Sequence, residues 1–159
     1  LSNLLSALFI FALGYRVLLH PEILHRELTG AEPPKYEKSG ITQDGVDLIW
    51  KRLEDDMVFQ KPFLDPALTL KTLADHLQVP PHQLSQVINQ RSGERFNPFL
   101  NRHRVRHAMH MMAQQPESKI LTIAFASGFQ SLSTFNRVFR EQTGMSPAQY
   151  RNTLMSPSI

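Results

Sequence analysis

The stretch GFQSLSTFNRVF, residues 128–139, contains several signals of local structure. Gly128 is a typical helix stop, because glycine adopts the left-handed backbone conformation without a steric penalty. Ser131 can cap a following helix, since its short side-chain oxygen accepts a hydrogen bond from a backbone amide of the first turn. Apolar residues then recur at helical spacing and predict a helix over residues 132–142 with one buried face. The stretch therefore predicts a helix-turn-helix.

A similar pattern occurs about fifty residues earlier. Leu73 pairs with Ile123 at an offset of 50, whereas the apolar residues of the following helix pair at an offset of 51. This change predicts a turn that is one residue longer in the second repeat. Gln78 stands at the position of Gly128, so it must either adopt the left-handed backbone conformation or extend the preceding helix. The two helix-turn-helix units are predicted at about residues 68–93 and 119–144.

Two further helices complete an all-α prediction. Asn97 followed by Pro98 is a good helix start and predicts a linking helix over residues 97–112, about 24 Å long. Before the first unit, Thr42 is expected to cap an amphipathic helix over residues 43–59. We therefore predict one double helix-turn-helix domain at residues 42–155.

The first forty residues have a different composition. Residues 1–15 carry no charge, and the apolar run continues to Leu19, interrupted only by Arg16. A membrane-spanning helix needs about 20 apolar residues, so we expect residues 1–19 to be the end of a transmembrane helix. A buried core helix or an amphipathic partner helix is the alternative. Basic residues follow and favour the cytoplasmic side for the rest of the chain, and the prolines and glycines of residues 20–41 predict a linker.

Composition and charge limit the classes of function. The sequence has no cysteine, which excludes disulfides, thiolate metal sites and cysteine nucleophiles. Residues 1–59 carry 6 Lys and Arg against 9 Asp and Glu, whereas residues 60–159 carry 11 against 5. Because basic surfaces attract nucleic acid, such a surface is expected in the last hundred residues. No catalytic motif is present, so we expect no enzyme activity, no catalytic residue and no cofactor.

The second helix of each unit has a polar face opposite its apolar face. Asn and Gln side chains pair with adenine edges, and Arg pairs with guanine, in the major groove of DNA. We assign base reading to His82, Ser85, Gln86, Asn89, Gln130, Leu132, Ser133, Asn136 and Arg137. We assign phosphate contacts to Thr69, Arg91, Arg95, Arg102, Arg140 and Arg151. Arg104 and Arg106 could either contact phosphates or form structural ion pairs.

The repeat belongs to a larger motif. It comprises Leu73-Ala74, Leu84-Ser85, Arg104-Val105, Ala108, Ile123-Ala124, Gly128-Phe129, Ser133, Phe135, Arg137, Phe139, Gly144, Pro147 and Tyr150-Arg151. On this motif, residues 68–151 resemble the DNA-binding domain of AraC/XylS-type transcription regulators. The resemblance implies seven helices and two recognition helices that enter adjacent major grooves of promoter DNA. We expect RNA polymerase as a second partner, while the sequence leaves open whether the chain forms a homodimer.

Residues 35–40 and the apolar start further resemble membrane-tethered members of this bacterial family. This second resemblance implies a DNA-binding domain held at the cytoplasmic face of the inner membrane, with residues 1–19 as the membrane contact.

Two alternatives compete with DNA binding. His103, His107 and His110 share one face of the linking helix. Two histidines four residues apart on a helix can hold zinc, so the chain could be a metal- or pH-responsive regulator. No carboxylate or cysteine completes the ligand set, so we favour a solvated basic face and expect no metal. The second alternative is a membrane-anchored helical adaptor that binds a protein through the acidic helix at residues 43–59. We expect Trp50 of that helix to pack on the first helix-turn-helix unit instead.

Overall fold

The computed structural model describes residues 41–155, where all regular secondary structure is helical. In chain order the elements are α1 (Gln43–Phe59), the 3-10 helix η1 (Pro62–Leu64), α2 (Leu70–His76), α3 (Pro81–Ser92), α4 (Phe96–Gln114), α5 (Ile120–Ala126), α6 (Leu132–Thr143) and α7 (Pro147–Met155). These residues form seven α-helices and no strand. The all-α prediction is therefore confirmed for this part of the chain.

The predicted transmembrane helix end at residues 1–19 lies outside the described residues, and so does the predicted linker at residues 20–41 apart from Ile41. Among the helices of residues 41–155, none is both long enough and apolar enough to cross a membrane.

Two helices begin after the hydroxyl residues predicted to cap them, Thr42 and Ser131, and a third begins after Thr69, which caps it in the same way. The side-chain oxygens of Thr42, Thr69 and Ser131 each accept a hydrogen bond from the backbone amide three residues further on, at 3.1–3.3 Å. Each bond satisfies one of the amides that a helix start leaves without an intrahelical partner.

The start of the linking helix α4 differs from the prediction. Arg95 is its cap residue, so Asn97 and Pro98 lie within the first turn rather than before it. Pro98 fits there because an amide in the first turn has no intrahelical acceptor to lose. The helix also extends two residues past its predicted end at Met112.

The two repeats have the offsets that the sequence predicted. α5 starts 50 residues after α2, and α6 starts 51 residues after α3, so the second turn is one residue longer. Gly128 has a φ of 84° and Gln78 a φ of 56°. Gln78 therefore adopts the left-handed conformation, the first of the two alternatives that the sequence left open.

Each repeat packs around a core of its own, and α4 contributes to both cores. The first core joins α1, η1, α2, α3 and the start of α4. The second core joins the later part of α4 with α5, α6 and, through the half-buried Tyr150, α7. Trp50 of α1 packs against the first core, with its ring 5.9 Å from that of Phe99, as expected. Helix α4 is thus the shared rod that positions the two repeats.

Candidate nucleic-acid interface

Helices α3 and α6 bury one face and expose another. Their buried residues are Leu84, Val87 and Ile88 in α3, and Phe135, Val138 and Phe139 in α6. The opposite face of α3 contains the exposed His82 and Asn89 and the half-buried Ser85 and Gln86. The opposite face of α6 contains the exposed Ser133, Asn136, Arg137 and Arg140. Two polar helix faces, free of carboxylates at these positions, therefore stand at equivalent places in the two repeats.

Arg137 is held on its own helix by an exposed ion pair. Its Nη1 lies 2.8 and 3.0 Å from the two carboxylate oxygens of Glu141, one turn further along α6. The side chain of Arg137 is 63% exposed and that of Glu141 57% exposed. An ion pair this exposed contributes little stability, about 0.3–0.5 kcal/mol for this helix spacing. The guanidinium can therefore exchange Glu141 for a stronger acceptor at low cost.

A groove runs between α6 and the start of α7, beside the second polar face. Asn136, Arg137, Arg140 and Glu141 of α6 line one side of it, Ser146 and Pro147 line the other, and Ile120 and Leu132 add apolar surface. The arginine and asparagine side chains can donate hydrogen bonds to a phosphate group, whereas the Glu141 carboxylate would repel one.

Two residues predicted to read bases are engaged elsewhere. The side-chain amide of Gln130 donates a hydrogen bond to the carbonyl oxygen of Pro66 at 2.7 Å. Leu132 is half-buried and packs against the second core. The structure thus sets these two residues apart from the exposed face of α6.

The residues predicted to contact phosphates divide into two groups. Four have partners within the chain. Thr69 bonds to Thr72 in a capping box, Arg91 pairs with Asp47, Arg102 pairs with Glu94 at 2.9 Å, and Arg151 donates to the Ser118 carbonyl at 2.9 Å. Within residues 41–155, the side chains of Arg95 and Arg140 are exposed and have neither a hydrogen bond nor an ion pair, so they are the most available cations of the set.

Arg104 is structural in this fold. Its side chain is buried, its Nε donates to the Phe63 carbonyl at 2.8 Å, and its Nη2 donates to the Asp65 carbonyl at 2.8 Å. The guanidinium also lies 5.9 Å from the ring centroid of Phe129. Burial lowers the pKa of Arg104, and the nearby Asp65 carboxylate partly opposes this effect. Arg104 is thus held mainly by hydrogen bonds to backbone carbonyls rather than by the ion pair that the sequence suggested. Arg106, the other arginine considered, is exposed.

The histidines of α4 do not form the solvated face that we expected. The His103 ring lies 4.8 Å from that of Phe99, and burial lowers the pKa of His103 to about 4, with Arg102 and Arg106 adding to the effect. His107 packs at 5.9 Å from the Phe63 ring, and burial likewise lowers its pKa. The expectation was wrong because α4 buries residues on more than one face, and only His110 of the three is fully exposed.

No arrangement of metal ligands occurs in the described part of the chain. Over residues 41–155, no group of three or more His, Asp or Glu side chains could hold a metal ion. The metal-responsive alternative gains no support from the placement of the three histidines.

Sequence reasoning missed the loop after α1. The two prolines of residues 61–66 are the most evident feature of this stretch and predict only that the preceding helix ends there. In the structure, the carbonyls of Phe63, Asp65 and Pro66 accept hydrogen bonds from α4 and from the second turn. No local pattern indicates this role, since backbone carbonyls are present at every residue.

Comparison with known proteins identifies the family. A family model described as a helix-turn-helix domain matches residues 73–153, about half of the chain. YobQ, an uncharacterized HTH-type transcriptional regulator of Bacillus subtilis, is 35% identical over 89 residues, which cover 56% of this chain and 36% of that protein. The melibiose operon regulatory protein of Escherichia coli is 30% identical over 87 residues, covering 55% and 28%.

A solved structure agrees with this match. The C-terminal domain of AraT, a response regulator from Geobacillus stearothermophilus, has 31% sequence identity and a TM-score of 0.60, covering 72% of this chain and 88% of that one. The chain spans about a third of the length of the two curated relatives. On the matched helix-turn-helix region and these relatives, the chain belongs to the AraC/XylS-type helix-turn-helix family.

Proposed function

We propose that this chain is a bacterial transcription regulator whose residues 42–155 form a double helix-turn-helix domain that binds double-stranded DNA. Helices α3 and α6 read two adjacent segments of the major groove. The single observation that carries the proposal is the repeated polar face, exposed at equivalent positions of two helices on one scaffold. A solvated surface without a ligand would not need this repetition.

The dimensions of the scaffold suit two successive grooves. The major groove is about 12 Å wide and admits one α-helix. Successive major grooves on one side of the duplex lie about 34 Å apart. Helix α4 has 19 residues and is therefore about 28 Å long, which is close to this separation.

The proposed roles follow the exposure of the side chains. Base reading is assigned first to His82, Asn89, Ser133, Asn136 and Arg137, which are exposed on the two faces. Ser85 and Gln86 stay in the base-reading set as half-buried members. Phosphate contact is assigned first to Arg95 and Arg140, because the other candidates have partners within the fold.

The finer parts of the proposal rest on the sequence. The uncharged run at residues 1–15 and the basic residues after it support a membrane tether that holds the DNA-binding domain at the cytoplasmic face of the inner membrane. RNA polymerase is the second partner proposed, as the enzyme that works at a promoter.

Selection from random DNA tests the proposal. The 159-residue chain, kept in mild detergent because of its apolar start, is mixed with random duplexes at two salt concentrations, and the retained DNA is sequenced. We expect enrichment of sites with two short blocks about one helical turn apart. Salt-sensitive binding without enrichment, or no binding at all, would contradict base reading by α3 and α6.

A double variant tests whether the exposed face of α6 reads bases. Asn136→Ala combined with Ser133→Ala removes two exposed polar groups of α6 and leaves its buried face intact. This variant should retain the fold and lose enrichment at one block. Unchanged enrichment would exclude this face from recognition.

A further inference from the structure

The turn of the second repeat packs against the loop after α1. A Cβ atom placed on Gly128 would lie 2.3 Å from the carbonyl oxygen of Phe63 and 3.0 Å from Nε of Arg104. A backbone carbonyl cannot move aside as a flexible side chain can, so the approach is possible only for glycine.

Gln78, the equivalent residue of the first repeat, shows that backbone conformation alone does not require this glycine. Gln78 has a positive φ like Gly128, yet it is a glutamine whose side chain is exposed. The first turn therefore tolerates a side chain in the left-handed conformation. What distinguishes Gly128 is its close contact with the loop of the other repeat's core.

Arg104 and Gln130 connect the same surfaces by hydrogen bonds. Arg104 donates to two loop carbonyls and lies beside Phe129 of the second core. Gln130 donates to the carbonyl of Pro66, the next part of the loop. Arg104, Gly128 and Gln130 together contact loop residues 63–66, and we call this set of contacts the inter-repeat contact.

Arg104 belongs to α4, but Gly128 and Gln130 meet the loop directly and so join the two repeats by a route other than α4. A single helix that joined two repeats would allow one repeat to turn relative to the other as the helix bends or twists. A second attachment, made from the loop of the first core to the turn of the second, resists that rotation. Since Gly128 to Ser131 lead directly into α6, the contact also fixes where α6 begins.

We propose that the inter-repeat contact sets the spacing between the two DNA blocks and thereby makes spacing a determinant of specificity. This inference rests on the proposed function, because it concerns the same two recognition helices. Gln130 acts in it as a positioning residue that does not touch a base. One inserted base pair moves the second block by about 3.4 Å and rotates it by about 34° about the duplex, and a fixed pair of helices cannot follow.

The test uses duplexes selected by the wild-type chain, with one base pair inserted between the blocks or removed. Binding of the 159-residue chain is measured by fluorescence anisotropy. We expect the altered spacing to weaken binding of the wild-type chain by about tenfold or more, within the usual range for coupled sites. Gln130→Ala should lower this penalty to about threefold or less, with its base preference unchanged. Its side chain is exposed, so the substitution opens no cavity.

Gln142→Ala, at an exposed position of α6, is the matched control and should keep the full spacing penalty. A Gln130→Ala chain that keeps the full penalty would overturn the inference. A changed preference at one base with the penalty intact would show that Gln130 reads DNA instead. If the wild-type chain selects no site, the proposed DNA-binding function itself fails. That result differs from a selected site whose spacing penalty does not depend on Gln130, which contradicts only the inference.

Discussion

Replacing Arg104 by methionine tests the buried arginine directly. The substitution removes two hydrogen bonds from a charged donor to the carbonyls of Phe63 and Asp65, each 2.8 Å long. A hydrogen bond to a charged group contributes about 1.5–3 kcal/mol. Methionine keeps some apolar contact with Phe129, and loss of the buried charge offsets part of the cost. We therefore expect the free energy of unfolding to fall by about 2–4 kcal/mol.

Urea unfolding followed by circular dichroism measures this change. Arg106→Met is the matched control, because Arg106 lies two residues away on the same helix and is exposed. Exposed substitutions usually change stability by no more than about 0.5 kcal/mol. Equal effects of the two substitutions would refute the structural role of Arg104. A loss of DNA affinity by Arg104→Met at unchanged stability would favour phosphate contact instead.

Four other substitutions give separate tests. Phe139→Ala removes a fully buried ring of the second core and should cost about 3–5 kcal/mol in urea unfolding; a cost below about 1 kcal/mol would be inconsistent with that core. His103 has a pKa of about 4 in the folded chain, so between pH 6.5 and 4 only the unfolded chain is protonated there, and stability should fall as the pH drops. His103→Gln should flatten this fall, and an unchanged pH profile would argue against a buried neutral imidazole. Arg137→Ala should weaken binding to the selected site by about 1–3 kcal/mol and relax specificity at one guanine, whereas an equal loss on random DNA would exclude base reading. Arg95→Ala should lower the slope of log affinity against log salt by about one for all sequences, and a constant slope would remove Arg95 from the phosphate contacts.

Local signals in the sequence predicted the helices well. Thr42 and Ser131 cap their helices as expected, because capping depends on neighbouring residues only. Gly128 has a positive φ, as expected of a helix stop in a conformation that glycine adopts without a steric penalty. The change of offset between the repeats also predicted the longer second turn.

Long-range contacts were not predictable from the same signals. The spacing of His103 and His107 places them on one face of a helix, but it does not show that α4 packs against two cores. The bond from Gln130 to Pro66 joins two turns whose local sequences contain no sign of each other. The Gln130 side chain can form hydrogen bonds with an adenine edge as well as with a carbonyl. Only the packing of the repeats therefore determines its partner.

Separate selections with variants of each recognition helix test the central claim most directly. His82→Ala with Asn89→Ala alters the exposed face of α3, and Ser133→Ala with Asn136→Ala alters that of α6. Each double variant is used to select from random duplexes beside the wild-type chain. If α3 and α6 read separate grooves, each variant loses one block of the site and keeps the other. Loss of both blocks by either variant, or of neither by both, would contradict reading of DNA by two independent helix faces.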